Sequence, residues 1–459
     1  MIKKFNPAEI ADFARFYGFH YDNLDTRALV REVGVDMRRG LSGVSSYMPM
    51  IPSYLKPVSH CPPEKEVIAL DAGGTNLRVA RVRFDSDGKP IVIDAKKYPM
   101  PGTQGRLTDT EFFDALAAVT APFLENGTEP SGLGFCFSYA MTMTEDGDGI
   151  PTMFSKELDI PDVVGKAVGA GLRDALKRRG LKAPNRIVLL NDTVATLLTG
   201  ITSIPQRYPS NFDAEKKPLL DRYGIPSGPV VGFILGTGFN TAYPEISIPK
   251  IGFTAKSALD AQVVVTESGN FLNRYQGQLD KEFDAGTKNP GGYTTEKACS
   301  GAYLGSLTLH IFKQAIKDKL VSFEKSGELL AMPALQTKDL NDFLQNPLAM
   351  SGTVGSLFAN NEASALSSLF YISQIITERA AILSAAVVAG TIIHMEAGYD
   401  PASPARVAVE GTTYVMFGQL RRSLESHLHC MLNADKPRSC IVDNVEQASL
   451  IGAAVAALS

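Results

Sequence analysis

The sequence predicts an α/β protein whose two related halves face one ligand. Two observations carry that expectation. Apolar strand-like runs recur at residues 67–70, 79–83, 91–94, 132–137, 187–190, 230–235, 262–266 and 405–409, and helical apolar spacing fills 109–124, 162–179, 295–320, 361–389 and 415–429 between them. In addition, Ile68-Ala-Leu-Asp-Ala-Gly-Gly-Thr-Asn76 is similar to Gly232-Phe-Ile-Leu-Gly-Thr-Gly-Phe-Asn240, so each half opens with a strand and a Gly/Thr turn. Two such turns facing a nucleotide form a clamp with the ligand at the domain interface.

Taken in order, the chain starts with a helix-spaced segment over residues 8–16, where a secretory leader would carry an uninterrupted apolar run. The strand over 67–70 then breaks at Asp71-Ala-Gly-Gly-Thr75 and resumes as a second strand. Adjacent glycines permit a tight turn whose amides form an anion-binding concavity. Asp71 suits a hydrated Mg2+, and Arg78 returns a positive charge to the same mouth. Read alone, the segment also fits a ligand-free hairpin. It has neither the Walker spacing nor G-x-G-x-x-G opening a helix, which disfavours P-loop and Rossmann readings. Residues 203–229, with Pro205, Pro209, Pro218, Pro226 and Pro229, read as a long surface loop. The small-residue run over 444–458 reads as a closely packed helix.

With 459 residues, 44% hydrophobic and 20% charged, the chain is expected to hold two domains and to be soluble. A formal net charge of −4 supplies no basic field for nucleic acid or anionic membrane. The longest largely apolar run, 380–395, is 16 residues, short of the roughly 20 a bilayer requires. Five cysteines without paired spacing fit reduced thiols, hence a cytoplasmic protein. His427, His429, Cys430 and Cys440 lack metal-site spacing.

Polar residues gather at the ends of apolar strands, where α/β sheets bind ligands. Asn191-Asp192 ends the 187–190 strand, and Asp192 also reads as a helix N-cap. Ser138 ends another strand, and Ser155-Lys156 lies 17 positions on. Asn240 follows the second glycine turn, Glu267 ends the 262–266 strand, and Glu296 follows Asn289-Pro-Gly-Gly292. Each alone also reads as a solvated surface residue.

Together with Gly134-Phe-Cys-Phe-Ser138-Tyr139, the run from Leu190-Asn-Asp-Thr-Val-Ala-Thr-Leu197, Gly301-Ala-Tyr-Leu-Gly305 and Val409-Glu-Gly-Thr412, these motifs resemble the hexokinase family, from Met37 to Gly452. The resemblance implies the two-lobed actin-like ATPase (ribonuclease H-like) fold with a sugar/ATP cleft between a small domain (65–190 plus 444–459) and a large one (1–64 plus 191–443). It implies ATP-dependent phosphorylation of glucose or a related hexose at the 6-hydroxyl, with Asp192 as general base and Lys156 and Arg78 neutralising charge. Ser138, Ser155, Lys156, Asn191, Asp192, Asn240, Glu267 and Glu296 form the implied sugar set. Asp71, Gly73, Gly74, Thr75, Asn76, Arg78, Gly236, Thr237 and Gly238 form the implied phosphate and Mg2+ set, with Asp71 reaching the metal through water; Gly411 and Thr412 are the implied adenosine contact. Hexose and ATP are the expected partners of a monomer or homodimer, without nucleic acid or membrane.

The chain departs from the family pattern at Ala140 (usually proline), Ser155 (threonine) and Ser268 (commonly tryptophan), and 448–452 lacks a glycine before Gly452. Serine keeps the hydroxyl at 155, whereas the change beside Glu267 bears on sugar preference. The alternatives are a kinase specialised for fructose, mannose or an amino sugar, or a non-catalytic sugar sensor of the same fold.

Overall fold

The computed structural model describes residues 4–58, 61–125, 129–154, 158–203, 229–257, 260–271, 274–349 and 351–459. Ser155, Lys156 and the 204–228 part of the proline-rich loop lie outside the described residues. Helix α1 (Pro7–Phe16) begins where Asn6 accepts the Ala8 N–H with proline in the first turn, and α2 (Thr26–Leu41) where Asp25 accepts the Ala28 N–H. Short strand β1 (Ile51–Pro52) follows.

The next segment supplies β2 (Glu66–Ala72), β3 (Asn76–Phe84), β4 (Pro90–Pro99), helix α3 (Asp109–Glu125), β5 (Leu133–Phe137), hairpin strands β6 (Met141–Met143) and β7 (Gly149–Pro151), helix α4 (Val168–Arg178) and β8 (Ile187–Leu190). Its five-stranded sheet has the order β4-β3-β2-β5-β8, with β2, β5 and β8 parallel. β5 is apolar throughout and β2 is apolar from Val67 to Leu70, ahead of the buried Asp71, because both faces are covered. β4 is the mostly exposed edge, guarded by Lys96 and Lys97.

After α5 (Asp192–Ser203) come β9 (Val230–Leu235), β10 (Phe239–Glu245), β11 (Ser247–Ile248), β12 (Phe253–Thr254) and β13 (Gln262–Val265). Helices α6 (Gln278–Ala285), α7 (Thr294–Cys299), α8 (Leu304–Lys317), α9 (Ser326–Ala331), α10 (Thr337–Gln345) and α11 (Ala363–His394) follow, then β14 (Ala405–Glu410), α12 (Thr412–Met416), α13 (Gly418–Leu432), β15 (Cys440–Asn444) and α14 (Ala448–Ala456). The second sheet runs β1-β13-β10-β9-β14-β15. Both glycine turns join antiparallel neighbours, β2 to β3 and β9 to β10.

Every strand expected from the apolar runs is present; β10, β15 and the short β1, β6, β7, β11 and β12 were not among them. The helix expected over 295–320 is broken into α7 and α8, because the Gly301 and Ala302 N–H groups bond the Gly236 and Thr237 carbonyls of the second glycine turn at 2.8 and 3.2 Å. The helix expected over 415–429 is likewise two, α12 and α13, meeting at buried Phe417.

Helices α5 and α14 share one apolar core with inward residues of both sheets, including Ala69, Val188, Val230 and Ala408. Small residues make this possible. A Cβ on Gly452 would stand 2.1 Å from the Ala195 carbonyl oxygen, and one on Gly134 1.8 Å from that of Ala453. Helix α11 forms the spine of the larger core. Its most apolar 18-residue window has a mean hydropathy of 1.6 and is 94% buried, so by composition it has membrane length while its surface is spent inside the protein.

Candidate active site

Six sequence-predicted residues, Ser138, Asn191, Asp192, Asn240, Glu267 and Glu296, line a single cavity of 470 Å³. Five arrive from strand ends of the two sheets, and Glu296 from the first turn of α7. Asn191 follows β8, and its Oδ1 accepts the Thr193 N–H at 2.8 Å, so Asn191 does the capping of α5 that Asp192 alone was a candidate for. Asp192, the first residue of α5, accepts the Thr193 hydroxyl at 3.2 Å, and burial raises its pKa against that hydrogen bonding.

Across the cavity, Asn240 on β10 donates its Nδ2–H to Glu267 Oε1 at 3.0 Å, while its Oδ1 takes the Thr241 and Ser268 N–H groups. Glu267 has φ 57°, a left-handed conformation that carries strain for a residue with a side chain. Burial raises its pKa. Glu296, in the first turn of α7, accepts the Phe239 N–H at 3.0 Å, and burial together with Glu267 and Asp192 pushes its pKa up to about 7. Ser268, the departure beside Glu267, is fully buried and receives the Thr241 hydroxyl at 3.1 Å. It supports the Asn240 and Thr241 strand from behind the cavity.

The first glycine turn lies at the C-terminal end of β2. Asp71 and Arg78 are register partners on β2 and β3, and Asp71 Oδ2 receives Arg78 Nε and Nη2 at 2.7 and 2.5 Å. Burial nevertheless raises the Asp71 pKa, with Arg78 opposing. Gly73 and Gly74 are outside the left-handed region, so a turn conformation reserved for glycine is not what selects them. Among the described residues a Cβ on Gly74 would meet nothing within 4 Å, and that open space lets a ligand approach the backbone. Thr75 and Asn76 at the tip are exposed and joined side chain to side chain at 2.8 Å.

The second turn is more tightly held. Thr413 donates its hydroxyl to the Gly236 carbonyl at 2.9 Å, and a Cβ on Gly411, at φ 139°, would stand 2.3 Å from the Leu235 carbonyl oxygen. Gly238 approaches a carboxylate of the 470 Å³ cavity, its Cβ position being 3.2 Å from Glu296 Oε2. Beyond this turn a second cavity of 480 Å³ is lined by Thr237 and Thr412, both predicted, and by Gly301, Gln336, Thr413 and Phe417, which the sequence reading did not single out. Gly301 lies in the Gly-Ala-Tyr-Leu-Gly motif, so a signal for it existed; Gln336 and Phe417 stand in no recognised pattern.

Glu410 was missed although it stands inside the Val-Glu-Gly-Thr motif. It ends β14, and burial with neighbouring Asp192 and Asp71 pushes its pKa up to about 7. Asp71, Asp192 and Glu410 are therefore close enough to act on one another electrostatically. Among the described residues no group of three His, Cys, Asp or Glu side chains is close enough to hold a bare ion. This oxygen-rich donor set fits a hydrated Mg2+ shared with substrate phosphates, the arrangement that ion favours. His427, considered for metal binding, instead pairs with Glu378 at 2.5 Å.

Two family profiles described as hexokinase match the chain, over residues 14–202 and 230–459. Rice hexokinase-1 (Oryza sativa subsp. japonica) is 30% identical over 450 residues, 92% of this chain and 85% of its own. Hexokinase-2 of Candida albicans is 27% identical over 461 residues, 94% of this chain and 88% of its own. The solved hexokinase of Schistosoma mansoni complexed with glucose is 26% identical, with coverage of 99% and 100% and a TM-score of 0.75.

Proposed function

The chain belongs to the hexokinase family, and on that premise we propose that it moves the γ-phosphoryl group of ATP to the 6-hydroxyl of glucose, with Asp192 accepting the hydroxyl proton. Its two-lobed α/β architecture is that of the actin-like ATPase group, and ATP-dependent hexose phosphorylation is the activity of the family. The observation that carries the site assignment is the convergence of Asp192, Asn191, Asn240, Glu267 and Glu296 on one cavity beside the second glycine turn.

A hexose presents hydroxyls that donate and accept, and carboxylates beside an amide answer both. A sugar of the wrong stereochemistry leaves a buried group unpaired, which makes such a site selective. Asp192 needs no covalent role, since phosphoryl transfer asks chiefly for alignment and charge stabilisation. Its burial raises its pKa, which makes it a stronger base than an exposed aspartate. Ser138 would contact the sugar directly. Ser155 and Lys156 stay in the sugar set on their motif alone, with Lys156 and Arg78 neutralising charge on the transferring group.

Asp71 and Glu410 would hold Mg2+ through water. Bound there with the nucleotide, the ion supplies charge neutralisation of the phosphates. The Gly73 and Gly236 N–H groups are taken by the Asn76 and Gly238 carbonyls, so the backbone amides of 74–75 and 237–238 would take phosphate oxygens, and the 480 Å³ cavity beside Thr237 and Thr412 would take the adenosine.

The test is ADP release with Mg·ATP and glucose, mannose, fructose, glucosamine or no sugar. Hexose-dependent turnover with glucose preferred is expected. Preference for another sugar would correct the substrate, release indifferent to sugar would make the protein an ATPase, and tight sugar binding without turnover would make it a sensor.

A further inference from the structure

One side chain ties the sugar-binding segment to the first phosphate turn. Tyr139 follows Ser138 beyond the end of β5, lines the 470 Å³ cavity, and packs its ring against Phe137 and Phe154 with centroids 4.8 and 5.5 Å away. Its hydroxyl donates to the Gly73 carbonyl oxygen at 3.0 Å. The backbone beside it makes a parallel link, Ser138 N–H to the Ala72 carbonyl at 3.2 Å.

The turn that receives this bond is otherwise lightly supported. Gly73 N–H bonds the Asn76 carbonyl at 3.0 Å within the hairpin, and the Thr75 carbonyl accepts the Met100 N–H at 3.1 Å. Among the described residues nothing stands near Gly74 on the side a Cβ would occupy. Two consecutive glycines leave many backbone conformers open, and a ligand that binds such a turn bears the ordering entropy unless the turn is already fixed. The second glycine turn has no such need, being held by Thr413, Gly301 and Ala302.

We propose that Tyr139 is a positioning residue that fixes the first phosphate turn against the sugar wall, so that a sugar settling on residues 138–139 also orders the turn for ATP. The inference rests on the kinase reading above and deepens it: the hydroxyl couples the two substrate sites. Coupling of this kind is reciprocal in binding.

The experiment uses the whole protein and Tyr139→Phe, which keeps the ring and removes only the hydroxyl. Calorimetry gives glucose affinity and the affinity of a non-hydrolysable ATP analogue with and without glucose; steady-state assays give KM for ATP. The expected result is glucose affinity within about twofold of wild type, KM for ATP raised ~3- to 10-fold, the range one neutral hydrogen bond supports, and glucose-dependent tightening of the analogue reduced toward unity. Unchanged KM and tightening would overturn the inference, as would a wild type without tightening. Equal weakening of sugar and nucleotide with a lowered Tm would also overturn it, by marking a general structural role. A wild type that phosphorylates no hexose would instead refute the kinase reading.

Discussion

At the residue scale, the assignment of Asp192 turns on its neighbour. In sequence Asp192 was the N-cap candidate, and the bond from Thr193 N–H to Asn191 Oδ1 gives the capping to Asn191 instead. Glu296 supports a pH prediction. Burial lifts its carboxyl from 4.5 to about 7, so between those values the folded chain holds a proton that the unfolded chain has lost. Its contribution to stability is present below about 4.5 and lost as pH rises through 7. Glu296→Gln, which cannot titrate, should therefore gain on the wild type in sugar-free thermal melts as pH rises from 4.5 to 7.5, by on the order of 1–3 kcal/mol. A difference constant with pH would contradict the assigned burial. The site was legible in sequence where a polar residue interrupts an apolar strand end, as at Ser138, Asn191, Asp192 and Asn240. Glu410 was not, because its significance comes from the proximity of Asp71 and Asp192, residues more than two hundred positions away.

At the element scale, strands were readable because both faces of β2, β5, β8 and β9 are covered, which leaves continuous apolar runs. β15 escaped because it is a half-exposed edge carrying Asp443 and Asn444. The break between α7 and α8 escaped for a different reason: periodicity continues through residues 300–303, and only the bonds from Gly301 and Ala302 to the second glycine turn overrule it. The small-residue character of α14 was legible and so was its consequence, close approach. Gly134→Ala should cost about 3 kcal/mol or more, since its methyl would meet backbone of α14 rather than a flexible side chain. Denaturant unfolding checks this. A loss below about 0.5 kcal/mol would show that α14 can move away from β5 freely, contrary to the tight packing described.

At the scale of the whole molecule, the two sheets meet through α5 and α14, and the candidate site draws on both sheets at that junction. Relative movement of the sheets would then open or close the cavity and exclude water from the transferring phosphoryl group. Of the domain boundaries expected from sequence, those near 65 and 190 flank the strands of the first sheet, whereas 443 lies inside β15 of the second, so the third crossing falls after Asn444; these crossings remain our proposal for the hinge. Sugar binding to the folded chain alone should raise stability by about 2.7 kcal/mol at a hundred times its Kd. An upward Tm shift with glucose, absent with a non-binding sugar, checks that expectation. The most direct test of the central claim is Asp192→Asn, measured for glucose binding by calorimetry and for glucose 6-phosphate formation at saturating Mg·ATP. Glucose affinity is expected within a few-fold of wild type and kcat reduced by roughly 10²- to 10⁴-fold, the range for loss of a general base. A variant that binds glucose and retains kcat within about twofold of wild type would contradict that claim.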